Sequence, residues 1–260
     1  MEFKQIIYEK LSEVARITFN RPDIRNALDS SAKKELMMAL DLAEEDLDVK
    51  VVVLTGAGDK AFSAGANLDS FKDMSPIEAK KYMTIAKGTT WKIENFSKPV
   101  IAAVKGYALG GGFEIVQACD LVIASDDAKF GQPEINVGLI PGAGGTQRLT
   151  KAAGDKKSKE FIFTGDTFGV EEALNLGLVN KIVSKDKIDD AVNEVVRKIS
   201  SKSPLMLKLA KECINRASGS NDVSGFDYES QAFAFCFSTE DMREGVKAFL
   251  EKRKANFKGK

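Results

Sequence analysis

The chain has 260 residues, 43% of them hydrophobic, enough for one large core or one domain with an appendage and too apolar to remain disordered. Its 38 basic residues balance 38 acidic ones, so no net field draws it onto nucleic acid or an anionic membrane surface. It contains no histidine, which excludes Ser-His-Asp and Cys-His nucleophiles and His-ligated zinc, and leaves acid/base work to Glu, Asp, Lys, Tyr or Cys with a displaced pKa.

The first residues carry no secretion signal and run directly into a strand-like stretch. Residues 14–19 alternate as a strand does and stop at Asn20-Arg21-Pro22, because proline cannot continue a ladder. Residues 28–47 place Leu36, Leu40, Ala43 and Leu47 at helical spacing behind Asp29 or Ser30 as the cap. Residues 51–55 form an apolar run of the kind buried on both faces of a sheet. Gly56-Ala57-Gly58, the small-residue loop 61–66 and a helical stretch over 67–74 follow. The pattern then recurs: residues 99–104 read as a second buried strand, leading through Gly106 to Gly110-Gly111-Gly112 and a helix over 113–119. Residues 121–124 form another strand, 125–127 a turn and 128–130 a returning segment. Two strand, glycine-loop and helix units in series predict an α/β fold with crossover helices.

Beyond Gly154 the chain reads as helical, with Ile188, Val192, Val195, Val196 and Ile199 on one face and another helix over 205–214 after Pro204. The end of the chain is dense in aromatic residues, among them Phe233, Phe235 and Phe237, which need a docking surface on this chain or on a neighbouring subunit. A boundary is expected near Ser200. The longest stretch without charge, residues 135–147, is about 13 long and broken by Gly and Pro, against roughly 20 apolar residues for a bilayer span. A soluble cytoplasmic protein is expected. Cys119, Cys213 and Cys236 are far apart and form no C-x-x-C, so they read as buried thiols in a reducing compartment.

Gly56-Ala57-Gly58 with Ala61 has the form of a dinucleotide fingerprint, but Phe62-Ser63-Ala64-Gly65 stands where that motif opens a helix, and no P-loop motif exists. The three consecutive glycines 110–112 at a strand-to-helix junction carry more. They let the backbone approach a ligand closely and leave N–H groups exposed at a helix start, although a tight crossover alone also explains them. Glu114 follows in the first helical turn, and Glu134 comes 20 residues later, after a helix, a strand and a reversal that can return it to the same sheet end. Taken singly, Glu114 also suits a helix start and Glu134 a solvated turn.

Several ordered motifs, namely Asn20-Arg21-Pro22 with Asn26-Ala27-Leu28, Ser63-Ala64-Gly65-Ala66, residues 108–114, residues 130–134 and residues 141–148, resemble the crotonase superfamily, and enoyl-CoA hydratases most. The resemblance covers essentially the whole chain, through Ser238-Thr239-Glu240-Asp241 to residues 249–253. It implies a crotonase-like spiral of ββα units over 1–200 and a helical C-terminal trimerisation region over 201–260, usually in a dimer of trimers. The implied activity, within fatty-acid β-oxidation, is reversible hydration of a 2-enoyl-CoA to a 3-hydroxyacyl-CoA, with no metal or redox cofactor beyond the thioester substrate. Dehydration of the 3-hydroxyacyl-CoA, double-bond isomerisation, hydration of a cyclic or branched substrate, and a noncatalytic acyl-CoA-binding or RNA-associated role are the alternatives.

The resemblance maps the oxyanion amides onto Ala66 and Gly111, the acid/base pair onto Glu114 and Glu134, and a water-holding amide onto Gly142. Glu134 is expected to protonate C2 and Glu114 to activate water, with roles that can exchange. CoA contacts map onto Arg25, Ala27, Ala64, Ala66, Asn67, Leu68 and Gly111, with Phe249 and Lys252 reaching CoA on an adjacent subunit. Asn67 stands where many hydratases carry Asp. Phe113, Met74, Met83 and Trp91 are candidates for the acyl pocket or for the core.

Overall fold

The computed structural model describes residues 3–217 and 222–260. The chain opens with an antiparallel hairpin of β1 (Ile6–Leu11) and β2 (Val14–Phe19), then α1 (Ser30–Glu45), whose Asp29 cap accepts from the Ala32 amide at 2.9 Å. Three units of long strand, short strand and helix follow. The first is β3 (Val51–Gly56), β4 (Ala61–Ser63) and α2 (Pro76–Glu94); the second β5 (Val100–Val104), β6 (Tyr107–Leu109) and α3 (Gly111–Ala118); the third β7 (Leu121–Ser125), β8 (Lys129–Gly131) and α4 (Gly145–Thr164). After these come β9 (Thr167–Gly169), α5 (Val170–Asn175), β10 (Lys181–Val183) and α6 (Ile188–Ser200), and finally α7 (Pro204–Ala217), α8 (Asp222–Cys236) and α9 (Glu240–Leu250).

Each unit contributes its long strand to a six-stranded sheet, ordered β1-β2-β3-β5-β7-β10, and its short strand to a four-stranded sheet, ordered β4-β6-β8-β9. The repeated ββα step is the expected spiral, with a third turn that the glycine pattern did not signal. Strands β4 and β6 lie inside what the sequence presents as glycine loops, because three residues are too few for an alternation to register. The helix expected over 67–74 is a 3-10 turn at Leu68–Phe71, followed by α2 from the Ser75 capping box. Pro204 is the first residue of α7 rather than the one before it, as its missing N–H allows.

The run Val51-Val52-Val53-Leu54 is apolar throughout because both sheet faces are covered. Val52 and Leu54 join the main core with α1 and α3, whereas Val51 and Val53 pack with Ile188, Val192 and Val196 of α6. Burial of one such Leu side chain contributes about 1.5–3 kcal/mol. α7 is tied to the core by Lys211 Nζ donating to Asp120 at 2.8 Å and Asn215 to the Glu94 carbonyl at 2.7 Å. Buried Asp241 of α9 accepts from Ser203 Oγ and from the amides of Lys258 and Gly259, which folds the chain end back onto the start of α7. Along this region Ile214, Phe226, Phe233, Phe235 and Phe237 stay exposed. No helix among the described residues is long and apolar enough to cross a membrane.

The two glycine loops meet where backbone approaches backbone. A Cβ on Gly112 would sit 2.5 Å from the Ser63 carbonyl oxygen and 2.8 Å from Ser63 Cβ. Gly112→Ala therefore overpacks this junction despite alanine's better helix propensity, and we expect a loss of about 1–3 kcal/mol in chemical denaturation.

Candidate active site

The segment 63–67 is fixed before the site is built. Ser63 Oγ donates to the Asn26 carbonyl at 2.8 Å, the Ala64 amide donates to the Arg25 carbonyl at 2.9 Å, and Leu28 bridges the loop through Gly65 O and the Asn67 amide. That parallel bridge uses the groups on either side of Ala66 and leaves the Ala66 N–H facing away from Leu28. Asn26 is buried, and its amide nitrogen donates to the carbonyls of Ala57 and Ala61, locking residues 20–28 to the loop.

The second arm is the start of α3. Gly110 takes a positive φ of 49°, reserved for glycine in practice, and turns the chain so that Gly111 is the first helical residue. Its amide is among those a helix leaves without an internal acceptor. A Cβ on Gly111 would lie 4.0 Å from the Ala66 nitrogen and 3.9 Å from Glu114 Oε2. A Cβ on Gly110 would lie 3.0 Å from Glu134 Oε1. Two loop amides and two carboxyls thus surround one small volume. It belongs to a cavity of about 620 Å³ whose wall includes Ala66, Leu68, Gly111, Glu114, Glu134 and Gly142.

The carboxyls differ in surroundings. Glu114 is buried, and its Oε1 accepts from the amides of Ala143 at 2.7 Å and Gly145 at 2.9 Å. Among the described residues Oε2 accepts no hydrogen bond, so it faces the cavity. Burial holds the Glu114 pKa above the usual carboxylate range, while the two amides, Arg148 and Lys33 pull against that rise. Arg148 spans the same loop, donating to the Ala143 carbonyl at 3.0 Å and pairing with Glu94 at 2.7 Å. Glu134 opens the 3-10 turn Pro133–Val137, and burial, with the Glu114 charge adding to it, pushes its pKa up to about 7. Gln132, buried beside it, has an amide orientation that donates to both Glu134 oxygens at 3.1 and 3.2 Å.

The remaining candidates divide. Asn67 caps the 3-10 turn through the Asp69 amide at 3.3 Å and stands outside the cavity wall, as do Ala64, Ala27 and Arg25 on the adjoining segments. Phe249 and Lys252, at the end of α9, do not line this chain's cavity. Met74 and Met83 line it. Phe113 is core, packed with Phe130 and Phe168, and Trp91 points outward from α2, so neither shapes the cavity. Sequence reasoning missed Lys33, Tyr82, Thr89 and Thr90. Of these only Lys33 left a trace, as a charge three residues before Leu36 in the apolar stripe of α1.

The model of the family described as enoyl-CoA hydratase/isomerase matches residues 9–260. The chain belongs to the enoyl-CoA hydratase/isomerase family. It is 44% identical to the short-chain-enoyl-CoA hydratase of Clostridium acetobutylicum, over 98% of this chain and 97% of that protein. It is 40% identical to the crotonyl-CoA hydratase of Syntrophomonas wolfei, over 99% of each. The crystal structure of enoyl-CoA hydratase from Bacillus anthracis superposes with a TM-score of 0.94 at 37% identity, covering 99% of this chain and 100% of that one. This family member thus has the crotonase fold that its motifs suggested.

An unfolded Glu titrates near about 4.3, well below the value that burial gives Glu134 here. The native state binds that proton more tightly, so it loses stability relative to the unfolded chain as pH rises between those two values. Glu134→Gln removes this loss. Thermal unfolding should show the variant gaining on the parent from about pH 4.3 to 7, with the difference independent of pH above and below that window.

Proposed function

We propose that the protein is an enoyl-CoA hydratase that adds water reversibly across the C2–C3 double bond of a 2-enoyl-CoA. The observation that carries this reading is the convergence of the Ala66 and Gly111 amides with the Glu114 and Glu134 carboxyls in one cavity. The relatives named as short-chain-enoyl-CoA and crotonyl-CoA hydratases support it.

The thioester oxygen sits between the Ala66 and Gly111 amides. As water attacks C3, negative charge moves onto that oxygen, and preorganised donors stabilise the enolate-like transition state, each contributing on the order of 2.7–4 kcal/mol. Glu114 takes the proton of the attacking water, held with help from the Gly142 amide. Its charged form suits that role because Oε1 already has two backbone donors while Oε2 faces the water. Glu134, with a pKa near 7, delivers a proton to C2. The hydroxyl ends on C3 and the proton on C2, and exchange between the two acids through solvent resets the site. Isomerisation needs only a proton moved along the chain, so it gives no use to a second carboxyl gripping water. Dehydration is the same path reversed.

The enzyme uses no cofactor beyond the CoA thioester and works in the cytoplasm. The core over 1–200 carries the site, and the helices over 201–260 form the subunit contact, most simply in a trimer or dimer of trimers. The exposed phenylalanines of α8 support that contact, since apolar side chains in such number call for cover. Arg25, Ala27, Ala64, Asn67 and Leu68 then flank the CoA side of the loop, and Phe249 and Lys252 reach CoA on a neighbouring subunit.

Glu114→Gln and Glu134→Gln should each lower kcat for crotonyl-CoA by about a hundredfold or more, followed as loss of the conjugated-thioester absorbance. Near-parental turnover in either variant removes that residue from the mechanism. Lys252→Ala should raise KM by about twofold to fivefold at low ionic strength, with the effect shrinking as salt is added and kcat little changed.

A further inference from the structure

Lys33 is a buried cation in the cavity wall that the hydration chemistry leaves unused. Its Nζ donates to Tyr82 Oη at 2.7 Å and to the Leu28 carbonyl at 3.4 Å, and it stands 4.4 Å from the centre of the Tyr82 ring. The Leu28 carbonyl also accepts from the Asn67 amide, so the ammonium lies directly behind the loop that aims Ala66. Lys33 makes no salt bridge among the described residues. The charged groups that act on it are Asp29, engaged with Arg21 and the Ala32 amide, and Glu114, whose Oε1 is engaged with the amides of Ala143 and Gly145 and whose Oε2 is turned to the same cavity; neither hydrogen-bonds Lys33. An ammonium so enclosed, with one N–H still unused, is costly unless an acceptor arrives.

The cavity wall is uneven: Leu68 and Ile140 are 49% and 71% exposed, whereas Lys33 and Thr89 are 4% and 0% exposed. Coenzyme A is too large and too polar for the buried part of the wall and must leave past the exposed part. An acyl group that runs inward from a thioester held between the two loops meets the buried wall to which Lys33 and Tyr82 belong. Tyr82 is itself fixed by edge-to-face packing on Phe71 at 5.0 Å, so the pair is rigid rather than a flexible surface charge.

We propose that Lys33, with Tyr82, receives an anionic oxygen at the far end of the acyl chain, so that the preferred substrates are 2-enoyl-CoAs whose chain ends in a carboxylate. Burial lowers the Lys33 pKa to about 8, which leaves the group mostly cationic at neutral pH and ready for such a partner. The inference rests on the hydratase reading and adds the substrate class to it.

Hydration rates are compared for five-carbon and six-carbon 2-enoyl-CoAs, each ending either in methyl or in carboxylate. The parent protein is expected to show kcat/KM at least about tenfold higher for the carboxylate-ended member of one pair, and Lys33→Met to abolish that advantage. A parent that favours the methyl-ended member of both pairs, or a variant that keeps the parent's ratio, overturns the inference and leaves the hydratase reading intact. Hydration of none of the four by the parent overturns both. Should Lys33→Met not fold, Lys33→Gln, which retains a donor for the Leu28 carbonyl, supports the same comparison.

Discussion

The site depends on one close contact between two backbone loops. Ser63-Ala64-Gly65-Ala66 leaves the short strand β4, Gly110-Gly111-Gly112 leaves the neighbouring β6, and the two pack so tightly that a Cβ on Gly65 would lie 2.7 Å from the Leu109 carbonyl oxygen. Nothing larger than glycine fits at that junction, and the fit sets the spacing of the Ala66 and Gly111 amides. Because the donors are main-chain groups fixed by two sheets and a helix start, they are oriented before any ligand arrives, which gives electrostatic stabilisation its strength.

With no histidine in the chain, the cavity's titratable groups include two carboxyls, and the structure surrounds them differently. Glu114 is enclosed but receives two backbone hydrogen bonds from the loop before and at the start of α4, which Arg148 braces against Glu94. Glu134 is partly enclosed and lies beside a second negative charge, so it retains its proton to a higher pH than a solvated carboxyl. Burial raises both pKa values, but Glu114 has two backbone donors from the 143–145 loop that favour its charged form. The reading of one as base and the other as acid follows from that asymmetry.

Much of this was legible in the sequence. The apolar runs mark β3 and β5, the glycines mark the tight junction, Glu114 stands in the first helical turn after them, and Glu134 follows 20 residues later, after a helix, a strand and a reversal. The acyl end of the cavity was not legible, for a physical reason. The inward face of α2 is Tyr82, Ala86, Thr89, Thr90 and Ile93, a mixture of polar and small residues with little amphipathic contrast, while its Trp91, the conspicuous apolar residue, faces out. Phe113 went to the core because its neighbours Phe130 and Phe168 were drawn from distant segments that no local pattern connects. Lys33 was hidden by the ordinary rule that a lysine on a helix faces water. Phe249 and Lys252 lie apart from this chain's cavity wall.

The central claim is that the Ala66 and Gly111 amides draw electron density onto the thioester oxygen. Its most direct test is the carbonyl vibration of a 2-enoyl-CoA, ¹³C-labelled at C1, bound to the catalytically slowed Glu114→Gln protein. The account predicts a carbonyl stretch shifted to lower frequency than in water. A bound carbonyl that vibrates as it does in water would contradict it.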